Sequence, residues 1–265
     1  MKYIKLSFAI LIIAAVAQSC NKVIDLNLGN DSGKLVIEAN ITNVGGPQYV
    51  TLTRNVPFTS TNIYPPVTGA TVGVSDDKGN NYPFTEISPG VYSNALLSGA
   101  AGSAYTMTVT TGGAIYKATS IMPKAVVLDS ITSKTNDFDP KKHRREITVH
   151  FQDPAGVANQ YRFLLYVNNK QVNAIFAIND DFTDGRYVNL DMNENKTDIF
   201  PGDTARVEMQ CVDKSMYTYW YTLQQQQFDS PGGGVAPANP PTNITPNTLG
   251  YFSAHTTQSI TLVVK

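Results

Sequence analysis

The fold is decided by the sequence Tyr105-Thr106-Met107-Thr108-Val109-Thr110, followed by Gly112-Gly113 and then by residues 115–121. Apolar side chains alternate with threonines in its first arm, so one face of the segment is apolar and the other carries hydroxyl groups. This alternation is typical of a half-buried β-strand. The glycine pair supplies the positive φ angles that a tight hairpin turn needs. The stretch therefore predicts an antiparallel hairpin within a mainly β protein.

The same pattern extends toward the N-terminus from this hairpin. Apolar residues alternate with polar ones along residues 35–41, and residues 49–53 predict a second strand. Residues 70–75 and 81–86 predict another hairpin around a turn that ends at Gly79. Short strands at this spacing, separated by Gly and Pro turns, predict an immunoglobulin-like β-sandwich over residues 34–123.

Residues 124–265 are expected to form a second β-rich domain. Its predicted strands are residues 126–132, 146–151, 161–167, 172–178, 187–192, 204–212 and 259–264. One helix is predicted at residues 214–228, because this segment follows a capping Asp213 and lacks Gly and Pro. A loop at 229–250 follows, and loops of such length are usually functional or disordered.

The predicted helix carries an apolar stripe. Met216, Trp220 and Leu223 recur at helical spacing, with Tyr217 and Tyr221 beside them. This spacing favours packing of the helix against a sheet. A platform that binds a ligand is the alternative.

The first twenty residues predict export and lipid anchoring. A short basic start precedes an apolar run at residues 6–17, which is shorter than the about 20 residues that a membrane span requires. We therefore expect residues 1–19 to be a lipoprotein signal peptide, Cys20 to be acylated, and residues 20–33 to be a tether. Acyl chains on Cys20 would hold the protein in the outer membrane, since Asn21 stands where an inner-membrane retention aspartate would be. We expect the protein to face the cell surface, and the periplasmic face of the outer membrane is the alternative. The other interpretation of the first twenty residues is an ordinary secretory signal that leaves Cys20 as a free thiol.

The composition limits the class of partner and the chemistry of the thiols. The formal net charge is only −1, with 20 Lys and Arg against 21 Asp and Glu, so nucleic acid is not an expected partner. Cys20 and Cys211 are the two cysteines. With Cys20 acylated no disulfide can form within the chain, and Cys211 is expected to be buried and inert.

Several segments together resemble a known family. They are the tail segments 238–244 and 249–254, the start of the fold at 34–38, the Asp180–Gly185 turn, and the pairs Gly202-Asp203 and Asp213-Lys214. They resemble a Bacteroidota lipoprotein family known as domain of unknown function 4249. The resemblance covers nearly the whole chain after the signal peptide. It implies an outer-membrane lipoprotein encoded beside a TonB-dependent receptor of the SusC type, and it implies no catalytic residues.

The sequence predicts no metal site, no cofactor and no catalytic residues. His143, His150 and His255 are scattered, and no zinc-binding or hydrolase motif is present. The acidic segment 180–185 is interpreted as a tight turn, with a calcium site unlike an EF-hand as alternative. The basic run 141–145 is interpreted as a solvated loop, and contact with anionic lipopolysaccharide or an acidic partner is its alternative.

We expect a non-enzymatic accessory lipoprotein of a TonB-dependent nutrient-uptake system, anchored through Cys20, that binds the transporter or its cargo. The residues expected at the contact are Asn239, Pro240, Pro241, Tyr251 and Phe252. A stand-alone glycan- or protein-binding module at the cell surface is the alternative, and a surface hydrolase with a carboxylate pair is a third possibility.

Overall fold

The computed structural model describes residues 32–57, 60–136, 143–192, 197–227, 238–246 and 248–265. The predicted signal peptide 1–19, the lipidation site Cys20 and nearly all of the tether 20–33 lie outside the described residues. So do residues 141–142 of the basic run and residues 228–237 at the end of the predicted helix and in the predicted loop. These predictions stay predictions.

Sixteen strands and one helix, here called α1, are formed by the described residues. The strands are β1 (Leu35–Thr42), β2 (Gln48–Arg54), β3 (Thr71–Asp76), β4 (Asn81–Ser88), β5 (Val91–Asn94), β6 (Ala104–Thr111), β7 (Ala114–Ile121), β8 (Leu128–Thr135), β9 (Arg145–Gln152), β10 (Gln160–Val167), β11 (Lys170–Gln171), β12 (Phe176–Asn179), β13 (Tyr187–Asp191), β14 (Thr204–Cys211), β15 (Ile244–Thr245) and β16 (Leu249–Val263). Helix α1 spans Lys214–Gln226. The prediction of a mainly β fold is confirmed.

One long sheet runs through both halves of the chain. Its strand order is β11-β10-β14-β16-β1-β2-β5-β4-β3-β6-β7-β15, with β12 also paired to β10. A second sheet has the order β13-β9-β8. Strands β6 and β7 pair in register from Ala104↔Ile121 to Thr111↔Ala114. The hairpin predicted from the alternation at residue 105 is therefore confirmed.

The last strand, β16, joins the two halves of the long sheet. It runs parallel to β1 on one edge and antiparallel to β14 on the other. Phe252 and Ala254 lie opposite Ala39 and Ile41 and pack with them in the core of the N-terminal half. A second core lies between the long sheet and the three-stranded sheet, and it takes residues from β9, β10 and β14.

Residues Ser32–Lys265 form one compact unit. One large cluster of buried side chains draws on residues 35–122 together with residues of β15 and β16, and the other draws on residues 126–264. The exact domain boundary and the immunoglobulin-like arrangement of residues 34–123 stay predictions. None of the helices formed by the described part of the chain is long and apolar enough to cross a membrane.

Two predicted boundaries are wrong. The final strand, predicted at residues 259–264, begins ten residues earlier at Leu249. Its middle contains Ser253, His255 and Thr256, which are polar yet buried, so apolar alternation did not mark it. The strand predicted at 172–178 forms only from Phe176, as β12 (Phe176–Asn179), and the short strand β11 (Lys170–Gln171) ends just before the predicted range.

Candidate binding site

A cavity of about 660 Å³ opens at the end of the long sheet where β1 begins. Three other features lie at this same end of the sheet: the end of strand β2, the turn between β6 and β7, and the start of β16. The walls come from these segments and from residues 239–242 of the tail that leads into β15. Because sequence-distant segments meet here, the cavity is a product of the folded sheet. We call it the tail cavity.

A glycine sets how closely β16 can approach β1 beside the tail cavity. Gly250 has φ +95°, and a Cβ atom there would lie 2.0 Å from the backbone oxygen of Ile37. Only glycine fits such an approach and such a φ angle. Just before it, the Thr248 hydroxyl donates a hydrogen bond to the Leu35 backbone oxygen at 2.6 Å. These contacts hold the wall at Thr248 and Leu249 in place.

Two side-chain amides hold the tail on either side of residues 239–242. The Asn243 amide donates to the Phe252 backbone oxygen at 2.8 Å and accepts from its backbone N–H at 3.0 Å. The Gln226 amide makes the same two-way pair with the backbone of Ala238, at 2.8 and 3.3 Å. Each amide thus makes the two backbone hydrogen bonds that a residue of a neighbouring strand would otherwise make. The segment between them is fixed where it meets the tail cavity.

The residues predicted to contact a partner separate into two groups. Asn239, Pro240 and Pro241 line the tail cavity, and Asn239 and Pro241 are exposed. Phe252 is 0% exposed in the N-terminal core, and Tyr251 is 7% exposed beneath helix α1. The expectation that Tyr251 and Phe252 contact a partner is therefore corrected, because burial commits both rings to packing. The expectation for Asn239, Pro240 and Pro241 stays a prediction.

The charged side chains among the described residues that line the tail cavity are both positive. Lys34 and Arg54 lie in its wall, and none of the described lining residues is acidic. The Arg54 Nη1 atom donates a hydrogen bond to the Gly33 backbone oxygen at 2.7 Å, which orients the guanidinium group. Sequence analysis did not single out these two cations. A signal was nevertheless present, because pairing of the two predicted strands at 35–41 and 49–53 places residues 34 and 54 at one end.

Helix α1 packs against the opposite face of the long sheet from the cores. The Trp220 ring lies 5.0 Å from the Tyr251 ring, and the Arg162 guanidinium carbon lies 3.4 Å from the centre of the Trp220 ring. Met216 and Trp220 are buried. The prediction that the helical stripe packs on a sheet is confirmed. Such a cation–π contact contributes about 2 kcal/mol when it is desolvated.

The run of glutamines at the C-terminal end of α1 has a structural role that sequence analysis missed. The Gln224 and Gln227 side-chain oxygens accept hydrogen bonds from the backbone N–H groups of Ala177 and Ile175, at 2.7 and 2.9 Å. Ala177 lies in β12, which pairs with β10 on its other side. Buried backbone N–H groups need partners, and the glutamines supply them at this edge.

Two titratable groups on the α1 side of the sheet are shielded from solvent to different degrees. Arg162 is half-buried, and desolvation lowers the pKa of its guanidinium group. His255 is 2% exposed, and burial together with the nearby Arg162 cation lowers its pKa to about 3. The imidazole is therefore neutral at physiological pH and pairs with the Ser253 hydroxyl at 2.9 Å.

The buried thiol and the buried Ser–His pair are both closed to substrates. Burial raises the pKa of Cys211, and the Val126 backbone N–H donates to its sulfur atom at 3.4 Å. The prediction of a buried Cys211 is confirmed. Ser253 and His255 are a combination used in nucleophilic catalysis, but neither side chain reaches the surface. Their arrangement serves the packing beneath α1.

Three acids form the cluster in the described residues where a metal ion could be held. Carboxylate oxygens of Asp153, Asp180 and Asp184 all lie within 4.8 Å of one another. Those oxygens already accept hydrogen bonds, Asp180 from the Asn159 backbone N–H at 2.7 Å and Asp184 from that of Gly156 at 2.7 Å. The predicted turn at 180–185 is confirmed, and the acids fix its shape.

Asp191 could not complete an EF-hand with this turn. It stands at the twelfth position from Asp180, and its carboxylate instead pairs with Lys134 and Thr148, each at 2.6 Å. The acid at that position is therefore engaged within the three-stranded sheet.

Comparison with known proteins gives one family match. The family model described as "Domain of unknown function (DUF4249)" matches residues 21–261. No curated protein matches the sequence. A solved structure of the Yersinia pseudotuberculosis adhesin InvE is similar at 18% sequence identity and a TM-score of 0.23. The match covers 69% of this chain and 57% of the adhesin chain, and a TM-score this low carries no argument about fold or function.

Proposed function

Since the chain belongs to the DUF4249 family, we propose that it is a lipid-anchored accessory protein of an outer-membrane TonB-dependent uptake system. It binds the transporter, its cargo or both, and catalyses no reaction. The family match begins at residue 21, directly after Cys20. This start supports the proposed processing, in which the signal peptide is removed and acylated Cys20 becomes the first residue.

The observation that carries the proposal is the position of the family's tail segment. Residues 239–242 line a polar cavity at the end of the sheet where β1 begins. A segment with no catalytic group, held by amide pairs at both sides, is suited to binding. Proline rings lose little conformational entropy on association, which favours Pro240 and Pro241 as contact residues.

An acylated Cys20 would keep this end of the fold within reach of the membrane. Residues 20–33 separate the acylated cysteine from Lys34, and a fully extended chain of that length spans at most about 50 Å. A barrel in the same membrane lies within that reach. The tail cavity is therefore close enough to meet a transporter or the cargo that the transporter receives.

The test is a pull-down of the tagged, acylated protein from its native outer membrane in a gentle detergent, with mass spectrometry of the proteins that follow it. A TonB-dependent barrel in stoichiometric amount supports the proposal. The double variant Pro240→Ala/Pro241→Ala should lose that barrel. Pro154→Ala, at an exposed proline away from the tail cavity, is the matched control and should retain it.

The second candidate is a binding module that works without a transporter. The favouring observation is that the tail cavity is polar and large enough for a small ligand by itself. Recovery of the lipoprotein alone in the same pull-down would contradict the transport proposal. Glycan- and protein-binding screens would then identify the ligand.

A further inference from the structure

The tail cavity has a volume that suits a small ligand, and its walls are polar. Ligand sites in proteins usually enclose about 300–1,000 Å³, and this cavity encloses about 660 Å³. A monosaccharide or disaccharide fits within such a volume. The walls of the cavity are polar, whereas pockets that bind drug-sized molecules are mostly apolar.

Arg54 provides an anchor for a negative charge. Its Nη1 atom is held by the Gly33 backbone oxygen at 2.7 Å, and among the described residues no carboxylate forms an ion pair with it. A guanidinium group has five N–H donors, so this one bond leaves others for a ligand. Lys34 adds a second positive charge to the same wall. A carboxylate or phosphate group would therefore be attracted here.

The remaining walls suit a sugar ring. Asn239 contributes an exposed amide, and Thr111 contributes a half-buried hydroxyl, both of which can pair with sugar hydroxyl groups. Tyr116, which is half-buried against the core, and Pro240 are also lining residues of the cavity. Flat or ring-shaped apolar surfaces pack against the C–H faces of sugars. The combination of cations, hydrogen-bonding groups and ring surfaces matches one chemical class.

We propose that the tail cavity binds a sugar that carries an anionic group, with Arg54 as its principal charge contact. The inference rests on the proposed function in one respect, since it names the class of cargo or surface glycan that such a protein would take. Two sources share this chemistry. One is a free acidic oligosaccharide, and the other is the phosphorylated sugar headgroup of lipid A in the outer membrane.

The experiment is calorimetric titration of the purified, acylated protein in detergent micelles. The probes are digalacturonate, its neutral analogue galactobiose, and mixed micelles of the same detergent with and without lipid A. Binding of digalacturonate or of lipid A micelles, weakened by salt, is expected, and which of the two binds identifies the source. Galactobiose should bind at least about tenfold more weakly than the acidic probe, because it lacks the charge.

Matched variants locate the site. Arg54→Gln should weaken binding of the acidic probe at least about tenfold, and Arg54→Lys should restore part of the loss. Arg186→Gln removes an exposed arginine away from the cavity and should leave binding unchanged. Thermal unfolding of each variant checks that the fold is intact.

Three outcomes would overturn the proposal: no binding of either acidic probe, equal affinity for galactobiose, or an Arg54→Gln variant that is folded and binds as tightly as the wild type. Because the titration uses the purified protein alone, its result is independent of whether a barrel follows the protein in the pull-down.

Discussion

The neutral, buried His255 makes the folded protein sensitive to mild acid. Its pKa is about 3 in the folded state, against about 6.5 for an exposed histidine in the unfolded chain. Below pH 6.5 His255 binds a proton in the unfolded state but stays neutral in the folded state until the pH approaches 3. The free energy of unfolding therefore falls as the pH is lowered from 6.5 toward 3, and this contribution is fully present above pH 6.5. Between pH 7.5 and pH 5 the loss from this one residue is about 2 kcal/mol.

The variant His255→Asn removes the titration while keeping a polar group near the position of the Nδ1 atom. That atom pairs with the Ser253 hydroxyl. The variant should be less stable than the wild type at pH 7.5, because the smaller side chain leaves a gap. Its free energy of unfolding should nevertheless depend less on pH, so that the difference between the two proteins shrinks by about 2 kcal/mol between pH 7.5 and pH 5.

Urea unfolding measures this difference directly. Trp220 is the single tryptophan of the chain and lies on the buried face of α1, so its fluorescence reports loss of the packing near His255. The control variant is His143→Asn, at an exposed turn position whose φ of 55° suits asparagine. The reasoning is refuted if the wild type and His255→Asn lose the same free energy between pH 7.5 and pH 5, or if His143→Asn alters the pH dependence as strongly.

Three further substitutions test the packing, and each is measured by urea unfolding of the purified protein. Asp213→Ala removes the N-cap of α1 and the carboxylate that accepts a hydrogen bond from the Ser120 hydroxyl. The free energy of unfolding should fall by about 2–4 kcal/mol, and a fall below about 0.5 kcal/mol would contradict the assignment of the cap. Gly250→Ala places a Cβ atom against the Ile37 backbone and should cost at least about 3 kcal/mol or abolish folding; a normal midpoint would show that β16 does not approach β1 so closely. Trp220→Ala should cost about 3–5 kcal/mol, here followed by circular dichroism, and a neutral result would show that α1 is not packed on the sheet.

The strands were predictable where one face of a segment is buried and the other is not. Residues 105–110 and 35–41 show this alternation, and both form strands with that burial pattern. Strand β16 escaped prediction for a physical reason. Its central residues are buried on both faces, and polar groups such as Ser253 and His255 are satisfied by hydrogen bonds rather than exposed. Alternation cannot mark a strand whose two faces are both covered.

The candidate site was predictable only in part. The composition of the tail pointed to Asn239, Pro240 and Pro241, which the folded chain brings to the cavity. The aromatic pair at 251–252 belongs to the same motif, and nothing local in the sequence shows that α1 and the core cover it. Arg54 lies far from the tail in sequence, so its place in the same cavity depends on the order of strands in the sheet.

The most direct test of the central claim is site-specific photocrosslinking in the native outer membrane. A photoreactive amino acid replaces Pro241 at the tail cavity, and in a matched experiment it replaces the exposed Pro154. The account predicts a crosslink from position 241 to a TonB-dependent barrel, and no such product from position 154. If position 241 yields no crosslink to a barrel while the protein is acylated and folded, the proposed role in an uptake system is contradicted.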